Sequence, residues 1–236
     1  MKNLSNAIRE LTFKESLPDG LIVLSGNSGA GKTIFSQQYA YEFLEEGGKV
    51  LWITTEELPL SLRSSMAKFG WDVSKLESEG RFTIMDAVSP ARLGLSENLG
   101  RGTIGLDPTG ILIVISEQLR QANPDTVSGK LLLVVDSISR LLLSCDQRSV
   151  IDFVSCLGSR MENHRVKGFL TINEGAHDEK TLNALTFSCT GTIRFRIKEE
   201  ENTRIRQFRL ETMRGRRHDD AWKRYAIGER GIEVEL

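Results

Sequence analysis

The stretch Gly26 to Thr33, GNSGAGKT, constrains the fold of this 236-residue chain more than any other feature. It fits the phosphate-binding pattern G-x-x-x-x-G-K-[ST] without a mismatch, and it stands between the apolar run Leu21–Leu24 and a segment with helical spacing. Such a loop needs a buried strand before it and small residues within it, so that backbone N–H groups can close around a polyphosphate. The helix that follows points its positive end at the phosphates. The motif therefore predicts a nucleotide site at the end of a central strand.

The residue types of the loop suit different parts of a nucleotide and its metal. Lys32 places a point charge near the β- and γ-phosphates, and the hydroxyl of Thr33 can bind Mg²⁺. The simpler alternative is a chance Gly-rich turn, which rarely has both a strand before it and a helix after it. We expect nine consecutive residues to bind ATP: Gly26, Asn27, Ser28, Gly29, Ala30, Gly31, Lys32, Thr33 and Ile34.

The composition is ordinary for an enzyme with one α/β domain. The chain is 39% hydrophobic and 27% charged, and its formal net charge of −1 argues against a surface that coats nucleic acid. No apolar run approaches the roughly 18 residues of a membrane span, and residues 1–16 contain no signal-peptide core. Cys145, Cys156 and Cys189 lack the spacing of metal ligands. We expect a cytoplasmic protein with reduced cysteines and no membrane contact.

Strand and helix patterns alternate along most of the chain. We expect strands over residues 21–24, 50–53, 82–86, 131–135 and 168–172, and helices over residues 3–15, 32–46, 59–69, 111–122 and 150–165. Residues 1–16 form an N-terminal extension. Residues 87–110, rich in Gly, Pro and Ser, are too long for an ordinary connection, so we expect a surface excursion there. The alternation predicts an α/β fold with a mainly parallel central sheet flanked by helices.

The C-terminal region, residues 190–236, has a different pattern. Residues 192–198 and 203–210 alternate polar and apolar with period two and are joined by a short acidic turn, which predicts an antiparallel hairpin. Residues 222–227 and 232–236 can extend the same edge of the sheet. No internal repeat or second domain is apparent, so we expect one domain over residues 1–236.

Three carboxylates follow predicted strands and suit phosphoryl transfer. Asp136 ends the run LLLVVD and is the expected Mg²⁺ ligand, although it could instead cap a helix that begins at Ser137. Glu56 and Glu57 follow the strand over residues 50–53, and ligands of open parallel sheets bind beyond the carboxyl ends of strands. One of them could orient or deprotonate the attacking water. The alternative is an acidic first turn that the helix dipole favours.

Four stretches in this order resemble the KaiC-like branch of the RecA-fold P-loop ATPases: GNSGAGKT, WITTEELPLSLRSSMAKFGWD, LLLVVDSISRLLL and ETMRGRRHDD. The resemblance covers about residues 17–234. The excursion over residues 87–110 and the stretch TINEGAHDEKTLNAL look most like the single-domain archaeal proteins related to KaiC, GvpD and RadA. The resemblance implies a RecA-like P-loop NTPase that uses ATP and Mg²⁺.

The resemblance also implies roles for particular residues. Glu56 stands where RecA-fold ATPases carry the water-activating Glu, and Glu57 is the second carboxylate of the KaiC-like pair. Arg63 falls where the family stacks a side chain on adenine, although a solvated helix face is an equal alternative. His218 matches a position near the nucleotide, although a lone His is more often ordinary surface. Glu174 replaces a γ-phosphate-sensing Gln, and it would repel phosphate unless it met the metal or a basic partner.

The stretch Thr212–Gly215 corresponds to the family motif K-M-R-G, which reaches the γ-phosphate of a neighbouring subunit. Arg214 is kept, but Thr212 replaces the Lys. The resemblance therefore implies a homo-oligomer with interfacial nucleotide sites, in which Arg214 acts in trans. The loss of one trans-acting charge predicts slow hydrolysis, because such charges contribute strongly to the rate.

Three functions are open on these observations. The first is a slow ATPase whose nucleotide state regulates contacts with an unknown protein partner. The second is a RadA-type recombinase paralogue that binds DNA through the hairpin; it is less favoured because the loop after Glu174 is mainly acidic. The third is a nucleotide-gated scaffold without turnover. The basic residues on which DNA binding would depend are Arg194, Arg196, Lys198, Arg204, Arg206, Arg209, Arg214, Arg216 and Arg217.

Overall fold

The computed structural model describes residues 4–88, 104–121, 130–200 and 203–235, and in these ranges nine strands form one sheet. The strands are Gly20–Gly26 (β1), Lys49–Thr54 (β2), Phe82–Asp86 (β3), Leu131–Asp136 (β4), Lys167–Asn173 (β5), Gly191–Glu200 (β6), Thr203–Met213 (β7), Lys223–Gly228 (β8) and Gly231–Val234 (β9). The helices are Leu4–Leu11 (α1), Lys32–Glu45 (α2), Pro59–Lys68 (α3), Ser74–Ser78 (α4), Pro108–Gln121 (α5), Ile138–Ser144 (α6), Gln147–His164 (α7) and Glu179–Phe187 (α8), with a 3₁₀ turn at Glu174–Ala176.

The order of strands in the sheet is β3-β2-β4-β5-β1-β6-β7-β8-β9. The first six strands of this order run parallel, and β7, β8 and β9 continue the sheet with antiparallel pairing. The predicted α/β fold with a mainly parallel sheet and a C-terminal antiparallel hairpin is therefore confirmed. Because parallel strands end at a common edge, the loops that follow β1, β2, β4 and β5 meet there.

Hydrophobic cores lie on both faces of the sheet, which explains why the central strands are almost continuously apolar. On the α2 face, the ring of Phe35 contacts three other aromatic rings, with centroid distances of 5.3 Å to Phe195, 6.0 Å to Phe208 and 6.1 Å to Phe169. Phe35 is only three residues beyond Lys32. This packing therefore fixes the start of α2 relative to β5, β6 and β7.

Some helix boundaries differ from the sequence predictions. Helix α7 begins at Gln147, three residues before the predicted start, because the carboxylate of Asp146 accepts a hydrogen bond from the Ser149 N–H at 2.9 Å. The segment interpreted as a loop after Glu174 contains helix α8, which Asp178 caps in the same way through Thr181 N–H at 2.7 Å. Both caps were visible as an Asp three residues before a Ser or Thr.

The predicted surface excursion is only partly described. Helix α5 begins at Pro108, so the last three residues of the 87–110 segment are helical and the predicted start at residue 111 is wrong. Residues 89–103 lie outside the described residues. Ala87 and Val88 before this stretch and Ile104 after it are buried, so the described chain on either side of it packs against the core.

Candidate functional site

A cavity of about 310 Å³ lies at the carboxyl edge of the sheet. It is lined by the loop between β1 and α2, by the ends of β2, β4 and β5, and by side chains from β7 and β8. The lining residues are Ser28, Gly29, Gly31, Lys32, Thr33, Ile34, Glu56, Asp136, Ser137, Thr171, Asn173, Arg206 and Ile227. The sequence-predicted residues Lys32, Thr33, Glu56 and Asp136 are thus brought together, although up to 104 positions separate them in the chain.

The loop itself depends on its glycines. Gly26, Gly29 and Gly31 have φ angles of +144°, +75° and +88°, which other residues rarely adopt. A Cβ atom on Gly26 would overlap the Phe195 carbonyl oxygen and lie 2.8 Å from its carbonyl carbon. Of the nine predicted binding residues, six line the cavity, and Gly26, Asn27 and Ala30 do not.

Lys32 is buried within the loop. Its ammonium group donates hydrogen bonds to the carbonyl oxygens of Gly26 at 2.9 Å and Asn27 at 2.8 Å, and to Asn173 Oδ1 at 2.9 Å. Burial lowers the pKa of Lys32 to about 8, and the carboxylates of Asp136, Glu174 and Glu56 offset only part of this shift. The Lys32 ammonium group is therefore held beside the phosphate loop by two carbonyl oxygens and one amide oxygen.

Asp136 is buried at the end of β4 and faces the first turn of α2. Its carboxylate accepts hydrogen bonds from the hydroxyl groups of Thr171 and Thr33. Burial raises the pKa of Asp136, while these hydroxyl groups and Lys32 act in the opposite direction. Ser137, not Asp136, is the N-cap residue of α6, so the alternative role of Asp136 as a helix cap is wrong.

The paired carboxylates Glu56 and Glu57 occupy different environments. Glu56 lines the cavity, and its Oε1 accepts a hydrogen bond from the hydroxyl of Ser137. Thr55 ties the same two strand ends together, because its hydroxyl donates to the Ser137 carbonyl oxygen at 2.7 Å. Glu57 is half-buried, and burial, with Asp136 and Glu56 nearby, raises its pKa to about 7. One of its oxygens, Oε1, is buried and has no hydrogen-bond partner in the described part of the chain.

Arg206 is the principal residue of the cavity whose place there was not predicted. It was grouped with the other basic residues of the hairpin, but the register of β6 and β7 pairs it with Ile197 and places it on the α2 face. Its neighbour two positions on, Phe208, is a fully buried core residue on that face. This alternation was the available signal, because residues at positions i and i+2 of a strand share a face.

The basic residues of the hairpin do not form one surface. Arg194 and Arg196 pair across the strands with Arg209 and Gln207, so they lie on the face opposite Arg206. On that opposite face the guanidinium of Arg196 lies 3.7 Å from the ring centroid of Trp222. Strand pairing therefore divides the basic residues of the hairpin between two faces of the sheet.

Glu174 has a basic partner on the same face. Arg194 Nε lies 2.9 Å from Glu174 Oε1, and Arg194 Nη1 lies 3.3 Å from Glu211 Oε1. A Glu at this strand end was expected to repel phosphate unless it met a metal or a basic partner. The ion pair with Arg194 supplies the latter.

Besides Gly26, Asn27, Ala30 and Glu57, three more predicted site residues do not line the cavity. Arg63 forms a two-pronged ion pair with Glu77, with contacts of 2.7 and 2.8 Å. His218 Nδ1 lies 3.2 Å from the Arg216 carbonyl oxygen. Arg214 donates to the Phe187 carbonyl oxygen at 2.6 Å, beside a separate cavity of about 390 Å³ on the other face of β1. A role of these residues toward a nucleotide bound in the same chain has no support in these contacts.

Across the described ranges, no three His, Cys, Asp or Glu side chains gather as a metal site. A metal at the loop would therefore be held by Thr33 and Asp136 together with water or ligand oxygens. No helix in the described ranges is long and apolar enough to cross a membrane.

The chain is similar in sequence and in structure to several known proteins. A UPF0273 protein of Aeropyrum pernix is 29% identical over 220 residues, which cover 91% of this chain and 84% of that protein. The UPF0273 protein PF1931 of Pyrococcus furiosus is 40% identical over 124 residues, which cover 52% of this chain and 48% of that protein. The crystal structure of the KaiC-like protein PH0186 from Pyrococcus horikoshii superposes with a TM-score of 0.79 at 25% identity, over 100% of this chain and 98% of that one.

The family comparison agrees with the structural one. The family model described as "ATPase: KaiC" matches residues 8–235, which is almost the whole chain. The resemblance inferred from the four sequence stretches is confirmed. The chain belongs to the KaiC family of P-loop ATPases.

Proposed function

We propose that this protein binds ATP with Mg²⁺ in the 310 Å³ cavity, hydrolyses it slowly between copies of the chain, and uses the nucleotide state to control contacts with a protein partner. One observation carries the proposal. Lys32, Thr33, Glu56 and Asp136, from three different strand ends, line the same cavity. Its volume is at the small end of the range for ligand pockets, about 300–1,000 Å³, and it is open to solvent at the carboxyl edge.

The phosphate loop supplies the binding chemistry. Gly29 and Gly31 line the cavity, where backbone N–H groups can bind phosphate, and α2 begins there with its positive end. Lys32 now donates to two carbonyl oxygens and one amide oxygen. Phosphate oxygens are stronger acceptors because they are charged, so the ammonium would turn toward them when ATP is bound.

Thr33 and Asp136 are suited to hold Mg²⁺. Their side chains are hydrogen-bonded to each other, and both carry the oxygen ligands that this ion prefers. When bound, Mg²⁺ would neutralise part of the charge that develops on the transferred phosphoryl group. Lys32 would stabilise the same charge from the loop side of the cavity.

Glu56 is the proposed base for the attacking water. The oxygen of that water would form the new bond to the γ-phosphorus, its proton would pass to Glu56, and the bond to the bridging oxygen would break to release ADP. Ser137 orients the Glu56 carboxylate by donating to Oε1. Glu57, with a pKa of about 7, is only partly ionised at neutral pH, so it adds part of a negative charge near Glu56.

The proposed interfacial site rests on the position of Arg214. This side chain is anchored to the Phe187 carbonyl oxygen at 2.6 Å and lines the second cavity, on the face of β1 away from α2. The residue is exposed, so it could contact a nucleotide on an adjacent copy. Thr212 lines the same second cavity, so this face presents one cation fewer than the family motif would.

Phosphate release from Mg–ATP across protein concentration, together with light scattering, tests the proposal. A specific rate that rises as oligomers form supports interfacial hydrolysis. Tight ATP binding with a flat, near-zero rate favours the nucleotide-gated scaffold, and a failure to bind ATP refutes the proposal.

A mixing experiment tests the shared site directly. Arg214→Ala and Lys32→Ala chains are each expected to be inactive, since one lacks the trans cation and the other lacks the phosphate-binding cation. Mixed together, they should recover part of the activity, because some interfaces combine an intact Lys32 with an intact Arg214. The absence of any recovery in assemblies shown to contain both chains would count against the trans role.

DNA binding is less favoured by the structure. The basic residues are divided between two faces, and on one of them Arg194 and Arg209 are held by Glu174 and Glu211. Fluorescence anisotropy with single- and double-stranded DNA at two salt concentrations measures any DNA binding by these residues, because binding to phosphates falls steeply with salt. We expect no binding at moderate salt.

A further inference from the structure

Tyr225, on strand β8, reaches the phosphate loop from the C-terminal edge of the sheet. Its hydroxyl donates a hydrogen bond to the carbonyl oxygen of Ala30, 195 positions away in the sequence. Tyr225 is 4% exposed, and burial raises the pKa of its hydroxyl, so the group remains protonated and able to donate at neutral pH. Ala30 is fully buried, so its carbonyl depends on this donor instead of on solvent.

The ring of Tyr225 is held rigidly by the aromatic core. Its centroid lies 5.7 Å from that of Phe208 and 6.2 Å from that of Phe195. Beside it on β8, Ile227 lines the nucleotide cavity. A Cβ atom on Gly31 would lie 3.1 Å from Ile227 Cδ1 and 3.6 Å from the Tyr225 hydroxyl oxygen. The β8 side chains thus pack directly against the phosphate loop.

Strand β8 is in turn anchored to helix α2. Its partner strand β9 contributes the Ile232 N–H, which donates to Gln38 Oε1 at 2.6 Å. Gln38 lies on α2, six residues beyond Lys32. Strands β8 and β9 therefore contact the phosphate loop at Ala30 and helix α2 at Gln38. They connect the loop and the helix, which together would bind phosphate.

The contact at Ala30 sets the direction of a neighbouring donor. The carbonyl of Ala30 and the N–H of Gly31 belong to one planar trans peptide unit, so they point in opposite directions. Because the carbonyl is aimed at Tyr225, outside the loop, the Gly31 N–H is aimed inward. Gly31 lines the cavity, which is where phosphate would lie.

We propose that Tyr225 is a positioning residue, whose hydroxyl orients the Ala30–Gly31 peptide so that the Gly31 N–H is ready to bind the polyphosphate of the nucleotide. This inference rests on the proposed ATP binding. It assigns to the C-terminal strands a direct part in phosphate recognition. The free loop would otherwise have to order this peptide on binding, which weakens affinity.

Fluorescence titration with a mant-labelled ATP compares the wild type with Tyr225→Phe. The substitution removes the hydroxyl, keeps the ring among Phe195 and Phe208, and leaves the Ala30 carbonyl without its donor. We expect Kd to rise about threefold to tenfold, the range for one hydrogen bond. The inhibition constant of pyrophosphate, measured by competition, should rise by the same factor, because pyrophosphate contacts the loop but has no base or sugar.

Tyr39→Phe is the matched control. Tyr39 is also buried, at 8% exposure, in the core on the same face, but in the described ranges its hydroxyl makes no hydrogen bond to the loop. Both variants are compared by their melting temperatures without nucleotide, which report any general loss of stability. We expect the Tyr39→Phe variant to bind ATP and pyrophosphate within about twofold of the wild type.

The outcomes separate this inference from the proposed function. Weaker binding of both ligands by Tyr225→Phe alone supports the inference. Unchanged binding by Tyr225→Phe, or an equal loss in both variants, overturns it while ATP binding stands. If the wild type itself does not bind mant-ATP, the proposed function fails.

Discussion

Gly26, at the start of the phosphate loop, offers a test of how tightly the loop is packed on the sheet. Its φ angle is +144°, and a Cβ atom there would lie 2.8 Å from the carbonyl carbon and 3.0 Å from Cβ of Phe195, as well as overlapping the carbonyl oxygen. These are atoms of β6, a central strand that cannot move away without breaking its pairing with β1. Gly26→Ala must therefore strain the loop or displace the strand.

The size of the effect follows from two contributions. A non-glycine residue in such a backbone conformation costs about 1–3 kcal/mol. Forcing an extra methyl group against packed backbone costs about 1–3 kcal/mol more. We expect the free energy of unfolding to fall by about 2–6 kcal/mol, a large part of the roughly 5–15 kcal/mol of a typical domain.

Gly29 in the same loop is the matched control. Its φ is +75°, but a Cβ atom there would meet nothing within 4 Å, so Gly29→Ala carries only the conformational cost. That cost is about 1–2 kcal/mol. Urea denaturation followed by circular dichroism measures both variants without nucleotide. Equal losses, or a Gly26→Ala variant within about 1 kcal/mol of the wild type, would refute the close packing of the loop on Phe195.

Three further predictions concern the site. Burial lowers the pKa of Lys32 from 10.5 to about 8, so the folded protein gives up this proton before the unfolded chain does. At pH values between these two pKa values, the Lys32 contribution makes the free energy of unfolding rise with pH, while the affinity for ATP falls because the ammonium loses its charge. Urea titrations and mant-ATP binding from pH 7 to 9.5 measure the two trends. Neither trend should persist in Lys32→Ala. Glu56→Gln should slow phosphate release by about 10²–10⁴ with Kd for ATP changed by less than about threefold, and a normal rate would remove Glu56 as the base. Arg206→Ala should raise Kd for ATP about tenfold, as expected for one lost charge-assisted contact, whereas Arg204→Ala, an exposed Arg on the same strand, should leave Kd unchanged; similar values for the two variants would exclude a specific contact by Arg206.

Local patterns predicted the core of this fold well. Strand β3 was placed at residues 82–86, and the Asp at the end of β4 was placed at residue 136, as the structure has them. These predictions depend on burial on both faces and on turn residues, which act between neighbours in the chain. Boundaries that depend on a single cap, such as the starts of α7 and α8, were missed although Asp146 and Asp178 were visible.

The candidate site divides in the same way. The loop residues and the carboxylates after β2 and β4 could be recognised because each follows a strand directly, and parallel strands end at one edge. Alternation with Phe208 could have separated Arg206 from the other basic residues of the hairpin. That this face of β7 lines the nucleotide cavity depends on the position of β7 in the folded sheet.

By itself the sequence determined that a phosphate loop lies between a buried strand and a helix, that a mainly parallel sheet carries it, and that the chain resembles KaiC-like ATPases. Tertiary structure alone decided the contacts that complete the site. The ammonium of Lys32 meets Asn173 across 141 positions, and the hydroxyl of Tyr225 meets Ala30 across 195. Such contacts depend on strand order and register, which are set by the packing of the whole sheet and leave no periodic trace in the residues that make them.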